Sequence, residues 1–116
     1  MTLAGIRAFA LRLPQATVIQ QWGEVLVFKV GGKMFLMVEF EGDLPLHAGF
    51  RPPDAEFETL AQADGMRPAP YLARAKWVQL EDMDAVSAAR LQEIIRMSYA
   101  EVVSRLSAKK RRELGI

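Results

Sequence analysis

The sequence predicts an α+β fold of two layers, in which an antiparallel sheet of about five strands carries an N-terminal and a long C-terminal helix on one face. Two observations support this prediction. Apolar residues recur at helical spacing in residues 3–13 and again in residues 91–106. Between these segments, residues 17–50 contain short β-prone runs that are separated by glycine-containing turns. The chain has 116 residues, so we expect residues 1–116 to form a single domain.

The first helix and the hairpin that follows carry the clearest local signals. The helix is predicted for residues 3–13 and ends at Pro14, which lacks an amide donor. Two strands are predicted for residues 25–30 and 34–40. Gly31-Gly32 joins them, and a glycine pair between two β-prone runs indicates a tight hairpin because glycine adopts positive φ without a Cβ clash.

Alternation within the second strand of this hairpin predicts which side chains share a face of the sheet. Strict alternation places Met34, Leu36 and Val38 on one face. It places Phe35, Met37 and Glu39 on the other. A further short strand is expected from Leu44 to His47 or beyond, after the turn at Gly42-Asp43.

The second half of the chain alternates between short elements and ends in a long helix. Asp54 is expected to cap a helix that includes Leu60 and Ala61. Residues 66–72 contain two prolines and are expected to form an irregular connection, whereas residues 74–80 alternate like a strand. The last helix is expected to begin after the acidic turn at residues 81–84 and to end in a basic segment, with residues 108–116 as a frayed tail.

The composition excludes several classes of site. The chain has no Cys, which excludes a disulfide framework, a thiolate metal site and a thiol nucleophile. His47 is the single histidine, so clustered imidazole ligands are also excluded. Glu39, Glu41 and Asp43 are spaced along a strand edge, where we expect solvated carboxylates rather than an ion site. We therefore expect no enzymatic activity, no catalytic residue, no metal and no cofactor.

Location and membrane association are predicted from the same features. No apolar run is long enough to span a bilayer, and the N-terminal residues lack the pattern of a secretory signal. Together with the absence of Cys, these features predict a cytoplasmic protein that does not bind a membrane.

Positive charge is concentrated in a few segments although 15 Lys and Arg nearly balance 14 Asp and Glu, for a net charge of +1. The cations that we regard as candidates for nucleic-acid binding are Lys29, Lys33, Arg74, Lys76, Lys109, Lys110, Arg111 and Arg112. Cations that converge on one face bind phosphates by releasing counterions. The alternative is that lysines at hairpin tips protect strand edges and that the basic helix end is simply solvated.

Aromatic side chains offer a second hypothesis, that of a small-molecule or protein-binding surface. The candidate residues are Trp22, Phe35, Tyr71, Trp77 and Tyr99. Together with nearby methionines they could line an apolar pocket beside the sheet. Packing in the hydrophobic core is the alternative for most of them.

Several segments, in order along nearly the whole chain, resemble the MmcQ/YjbR family. They are residues 9–17 (FALRLPQAT), Trp22-Gly23, residues 28–35 (FKVGGKMF), residues 68–74 (PAPYLAR), Trp77-Val78 and Ser98-Tyr99. The resemblance implies a CyaY-like α+β fold. It also implies a DNA-binding protein with a double-wing motif, in which Lys29 and Lys33 belong to one wing-like element and Arg74 and Lys76 to the other. The partner expected from it is double-stranded DNA.

The chain departs from the family pattern at two places. Val18-Ile19 stand where the family usually has acidic residues after the Ala-Thr pair, and residues 44–53 differ from the usual pattern. The resemblance of the fold to frataxin-type proteins also raises iron binding. We reject that function because it needs a dense acidic ridge on the first helix, and residues 3–13 contain no acidic residue.

Overall fold

The structure is a computed structural model that describes all residues from Met1 to Ile116. Its helices and strands are α1 (Leu3–Leu11), β1 (Thr17–Gln21), β2 (Val25–Val30), β3 (Lys33–Glu41), β4 (Leu44–Phe50), α2 (Phe57–Ala61), β5 (Met66–Pro68), β6 (Val78–Leu80), α3 (Ala88–Ser104) and α4 (Ala108–Leu114). Short 3₁₀ turns lie at residues 54–56, 73–75 and 83–85. The predicted α+β fold is confirmed, with the helices on one side of an antiparallel sheet.

The sheet has six strands in the order β1-β2-β3-β4-β6-β5 rather than the expected five. The additional strand is β5, which lies in the segment expected to be an irregular connection and pairs only with β6. Proline is tolerated there because β5 is an edge strand. Conversely, the strand expected over residues 74–80 is confined to Val78–Leu80, because a 3₁₀ turn and a left-handed residue, Lys76 (φ 64°), precede it.

The hydrophobic core lies between the sheet and the helices. Its largest fully buried side chains are Ile6, Phe28, Phe35, Leu36, Phe50, Leu80, Leu91, Ile94 and Ile95. Side-chain hydroxyls cap the helices: Thr2 accepts a hydrogen bond from Gly5 N, and Ser87 accepts one from Arg90 N. No helix combines the length and the apolar character that are needed to cross a bilayer.

A β-bulge changes the predicted facing of side chains in β3. Phe28 pairs with Leu36 and Lys29 pairs with Met34, which leaves Phe35 as an extra residue. Phe35 and Leu36 therefore both pack in the core beneath the helices. The expectation that Phe35 shares a face with Met37 is wrong, because strict alternation holds only where the register is continuous.

A buried serine fixes the bulge to the helical layer. The Ser98 hydroxyl donates to the carbonyl oxygen of Phe35 at 2.5 Å and accepts a hydrogen bond from the backbone nitrogen of Arg51 at 2.8 Å. Ser98 is fully buried, and no buried side-chain polar atom lacks a partner. One side chain of α3 thus holds together β3 and the end of β4.

The C-terminal residues differ from the expected frayed tail. α3 ends at Ser104, and Ser107 begins a new helix by accepting a hydrogen bond from Lys110 N at 3.0 Å. Gly115, in the left-handed conformation, ends α4. Leu114 packs near the β2–β3 hairpin, so this segment is ordered by a cap at each end and by an apolar contact.

Asp54 does not cap α2 as expected. It lies in the 3₁₀ turn that precedes this helix and makes no capping hydrogen bond. Its carboxylate instead accepts hydrogen bonds from Arg51 Nη2 at 2.7 Å and from Arg105 Nη2 at 3.3 Å. The side chain therefore ties the end of β4 to the end of α3.

Candidate functional site

The candidate cations gather at one end of the sheet, which we call the basic end. Phe28, Leu36, Phe50, Val78 and Pro68 form a cross-strand row over five of the six strands. The β2–β3 hairpin and the segment before β6 both extend beyond this row in the same direction. The first carries Lys29 and Lys33, and the second carries Arg74 and Lys76.

Helix α4 brings four more cations to the same end. A Cβ atom at Gly31, in the hairpin turn, would lie 2.8 Å from Leu106 Cδ1 and 3.3 Å from Leu114 Cδ1. This close approach requires glycine and holds the hairpin tip against α4 and the residues before it. The structure thus places Lys109, Lys110, Arg111 and Arg112 beside the hairpin that carries Lys29 and Lys33.

Most of these cations have no carboxylate partner. Lys109 is the one among the eight that forms an ion pair, at 4.0 Å from Glu113. Lys76 Nζ lies 5.1 Å from the centroid of the Phe57 ring, a cation–π contact. Asp54, which lies close enough to Lys76 to interact with its charge, is already paired with Arg51 and Arg105. Its hydrogen bond from Arg51 holds the pKa of Asp54 below its ordinary value.

The opposite end of the sheet is acidic. Glu24 lies in the β1–β2 turn, Glu41 and Asp43 flank the β3–β4 turn, and Glu81 and Asp82 follow β6. The strand pairing brings these separate segments together beyond the row that contains Leu26, Val38, Ala48 and Leu80. The net charge of +1 is therefore unevenly distributed along the strands, although Arg67 pairs with Glu81 at the acidic end, 3.2 Å apart.

The face of the sheet that the helices leave open contains a cleft, which we call the open-face cleft. It has a volume of about 360 Å³ and is lined by 11 residues, none of them Lys or Arg. Met37 and Gly49 are neighbours in the register of β3 and β4 and form its floor. A Cβ atom at Gly49 would lie 3.3 Å from Met37 Cε and 3.7 Å from Trp77 Cε3, so glycine leaves this space open.

Two of the predicted aromatic residues lie at this cleft. Trp22 is 67% exposed and Tyr71 is fully exposed, and both line the cleft. Both also have left-handed backbone conformations, with φ of 49° and 65°. Bulky residues rarely adopt this conformation, which costs on the order of 1 kcal/mol.

The other three predicted aromatics are placed differently. Phe35 and Tyr99 lie on the helix-covered face, where their rings form an edge-to-face pair with centroids 5.4 Å apart. The Tyr99 hydroxyl donates to the carbonyl oxygen of Pro14 at 2.6 Å, and burial raises the pKa of Tyr99. Trp77 is buried against Gly49 beneath the open face. The five residues thus do not form one site.

The polar groups of the cleft were not assigned a role from the sequence. Glu39 and His47 are cross-strand partners and both line the cleft. His47 Nδ1 lies 3.1 Å from the carbonyl oxygen of Glu81 and must donate to it, so Nε2 of the neutral ring is an acceptor. The proximity of Glu39 and His47 depends on the register of β3 and β4, which no local sequence pattern reveals.

No group of three or more His, Asp or Glu side chains is arranged to hold a metal ion.

Comparison with known proteins identifies relatives of the chain. The YjbR family model matches residues 11–101, which include the hairpin and the segment before β6 but not α4. The structure is similar to the crystal structure of the Deinococcus radiodurans protein DR2400, a DUF419-domain protein, with a TM-score of 0.84 and 26% identity over 97% of this chain and 87% of that one.

A second solved structure shares the fold. It is a Pseudomonas syringae protein, structural genomics target PsR293, with a TM-score of 0.66 and 14% identity over 84% of this chain and 96% of that one. No curated protein matches the sequence significantly.

Proposed function

The chain belongs to the YjbR family, and from the arrangement of its charges we propose that it binds double-stranded DNA through phosphate contacts at the basic end. The proposal involves no catalytic step. The observation that carries it is that three separate segments bring cations to one end: the β2–β3 hairpin, the residues before β6 and α4.

The distribution of charge favours an extended polyanion as the partner. Binding to a phosphate backbone gains free energy from the counterions that converging cations release. Lys33, Arg74 and Lys110 are exposed, and none of them is in an ion pair. The acidic end lies at the other end of the strands, so the field of the molecule would orient the basic end toward DNA during encounter.

The contact at Gly31 supports the proposal because it reduces the entropic cost of binding. The hairpin is held against Leu106 and Leu114, so the backbone that carries Lys33 keeps a fixed position relative to α4. Cations that are held in place lose less conformational entropy when they meet phosphates than cations on independent loops.

The test is a salt titration of DNA binding with a charge-matched control. The variant Lys33→Gln/Lys110→Gln/Arg112→Gln removes three exposed cations of the basic end. The control Arg7→Gln/Arg12→Gln/Arg90→Gln removes three exposed cations, from α1, its C-cap and α3, and changes the net charge equally. Fluorescence anisotropy with a labelled duplex is measured between about 50 and 200 mM salt, where phosphate contacts weaken steeply.

We expect the basic-end variant to bind at least about 10-fold more weakly at low salt, with a salt slope reduced by up to about 3, whereas the control retains most of its affinity. Equal losses in the two variants would show that net charge rather than the basic end determines binding. No binding of the unmodified protein even at about 50 mM salt would refute the proposed function.

A further inference from the structure

We propose that the open-face cleft binds a small organic cation, an amine or quaternary ammonium group on an aromatic or apolar body. This proposal does not depend on DNA binding, because none of the cations of the basic end lines the cleft. It assigns a ligand to a face of the sheet that the helices and the basic end leave unused.

The shape and surface of the cleft suit the apolar part of such a ligand. Its volume of about 360 Å³ lies at the lower end of the range for small-molecule sites. Met34 and Met37 contribute apolar surface that adapts to the shape of a bound ring. Gly49 leaves the floor open between them and Trp77.

The charges of the cleft select the polar part of the ligand. The carboxylate of Glu39 makes no ion pair or hydrogen bond within the chain, although Glu39 lines the cleft. His47 turns Nε2 toward the cleft as the ring nitrogen left free, since Nδ1 donates to the carbonyl oxygen of Glu81, and an unprotonated Nε2 is an acceptor. A carboxylate and an acceptor nitrogen, with no Lys or Arg beside them, complement a donor with positive charge and repel a phosphate or carboxylate.

The exposed aromatics supply a third element of cation recognition. The faces of Trp and Tyr attract ammonium groups through the quadrupole of the ring. Trp22 and Tyr71 lie at the cleft in left-handed conformations that neither residue type favours. Because both side chains are exposed, packing within the chain does not offset this strain, whereas contact with a bound ligand would.

The experiment compares two probes of nearly equal size and opposite charge, phenethylammonium and 3-phenylpropionate. Neither absorbs at the excitation wavelength of tryptophan, and Trp22 is the exposed one of the two tryptophans, so its fluorescence reports occupancy. Isothermal titration calorimetry of the full chain provides an independent measurement. For a probe of nine heavy atoms we expect a Kd on the order of 1 mM for the cation, and binding at least about 10-fold weaker for the anion.

Two variants distinguish direct binding at Glu39 from the general electrostatic attraction of the acidic end for cations. Glu39→Gln is expected to weaken binding of the cation about 10-fold and to abolish the preference for it over the anion. Glu41→Gln is the matched control, because it removes the same charge from the same strand at a residue that does not line the cleft. It is expected to leave the preference unchanged.

Blocking variants test the cavity itself. Gly49→Leu fills the floor and should abolish binding of the cation. If this variant does not fold, as judged by circular dichroism, Trp22→Ser removes one aromatic wall at an exposed position and should weaken binding several-fold.

Equal binding of both probes, no binding of either at about 10 times the expected Kd, or equal effects of Glu39→Gln and Glu41→Gln would each overturn the proposal. The variant Lys33→Gln/Lys110→Gln/Arg112→Gln should bind the cation normally. Loss of DNA binding with retention of cation binding therefore distinguishes this site from the proposed function.

Discussion

The two faces of the sheet are formed by neighbouring residues of the same strands, yet they are completed in different ways. On the helix-covered face, Leu36 and its neighbours are sealed by α3, and Ser98 satisfies the polar groups that the bulge exposes. On the open face, Met37 and Gly49 lie at the floor of a cleft that has two strained aromatics beside it.

This difference shows which face contributes to the stability of the fold and which face reduces it. The covered face buries apolar side chains and leaves no buried polar side-chain atom without a partner. The open face retains apolar surface and keeps Trp22 and Tyr71 in unfavourable backbone conformations. Packing is thus concentrated on the covered face, and the backbone strain lies on the face where we propose that a ligand binds, as expected if strain gathers at functional sites.

The largest expected effect is the contrast between two consecutive residues of β3. Leu36→Ala should lower the free energy of unfolding by about 3 kcal/mol, because it opens a cavity in the closed core. Met37→Ala should cost about 1 kcal/mol or less, since its side chain borders solvent and can be replaced by water. Urea denaturation measures both, and equal losses would contradict the difference between the two faces.

Ser98→Ala should destabilise the protein by about 2–3 kcal/mol, because it leaves the Phe35 carbonyl and the Arg51 amide buried without a partner. The control is Ser104→Ala in the same helix. The hydroxyl of Ser104 bonds an exposed backbone carbonyl within its own turn, so its loss should be close to neutral. Thermal denaturation measures both variants. Equal melting temperatures for Ser98→Ala and Ser104→Ala would contradict the role of Ser98.

Tyr99→Phe should cost about 1 kcal/mol near neutral pH through loss of the hydrogen bond to Pro14. The pKa of Tyr99 is raised in the folded state above its ordinary 10.0, so the neutral hydroxyl is favoured by folding. The neutral hydroxyl of Tyr99 therefore adds to the free energy of unfolding in full below pH 10.0, and this stabilisation is lost as the pH rises through the folded-state pKa.

Urea denaturation at several pH values measures this linkage. The stability difference between the unmodified protein and Tyr99→Phe should shrink in alkaline solution. Tyr71→Phe is the control, because its hydroxyl is exposed and makes no hydrogen bond within the chain. A difference that stays constant up to alkaline pH would show that burial of Tyr99 does not link its ionisation to folding.

The smallest effect has the opposite sign. Trp22→Asn should raise the free energy of unfolding by up to about 1 kcal/mol, because Asn tolerates the left-handed conformation and the exposed indole packs against little. Trp22→Phe retains a bulky ring in the same conformation and should bring no gain. A loss of stability in Trp22→Asn would mean that packing of the indole outweighs the strain at this position.

The parts of the fold that could be predicted from sequence depend on local chemistry. The Gly31-Gly32 hairpin follows from the conformational preference of glycine, and both residues have positive φ in the structure. The predicted α1 and α3 follow from apolar periodicity. Each of these signals lies within one element and its turns, so no knowledge of distant residues is needed.

Several of the missed features depend on residues that are distant in sequence. β5 is a strand only because β6 pairs with it, and the bulge at Phe35 is satisfied by Ser98, which lies 63 residues further along the chain. The candidate cations were predicted by type, but their convergence depends on sheet order and on the contact at Gly31. Glu39 and His47 meet for the same reason, through cross-strand register.

The order of the strands also has a consequence for how the protein forms during synthesis. β1 to β4 are joined by short turns and pair in sequence order, so this meander can form as soon as residue 50 has left the ribosome. α1 can cover only part of its apolar face, and the remainder is not covered until α3, which begins at residue 88, has also emerged. We therefore expect the nascent chain to pass through a stage in which four of the six strands expose part of their core surface, and to be most prone to aggregation at that stage.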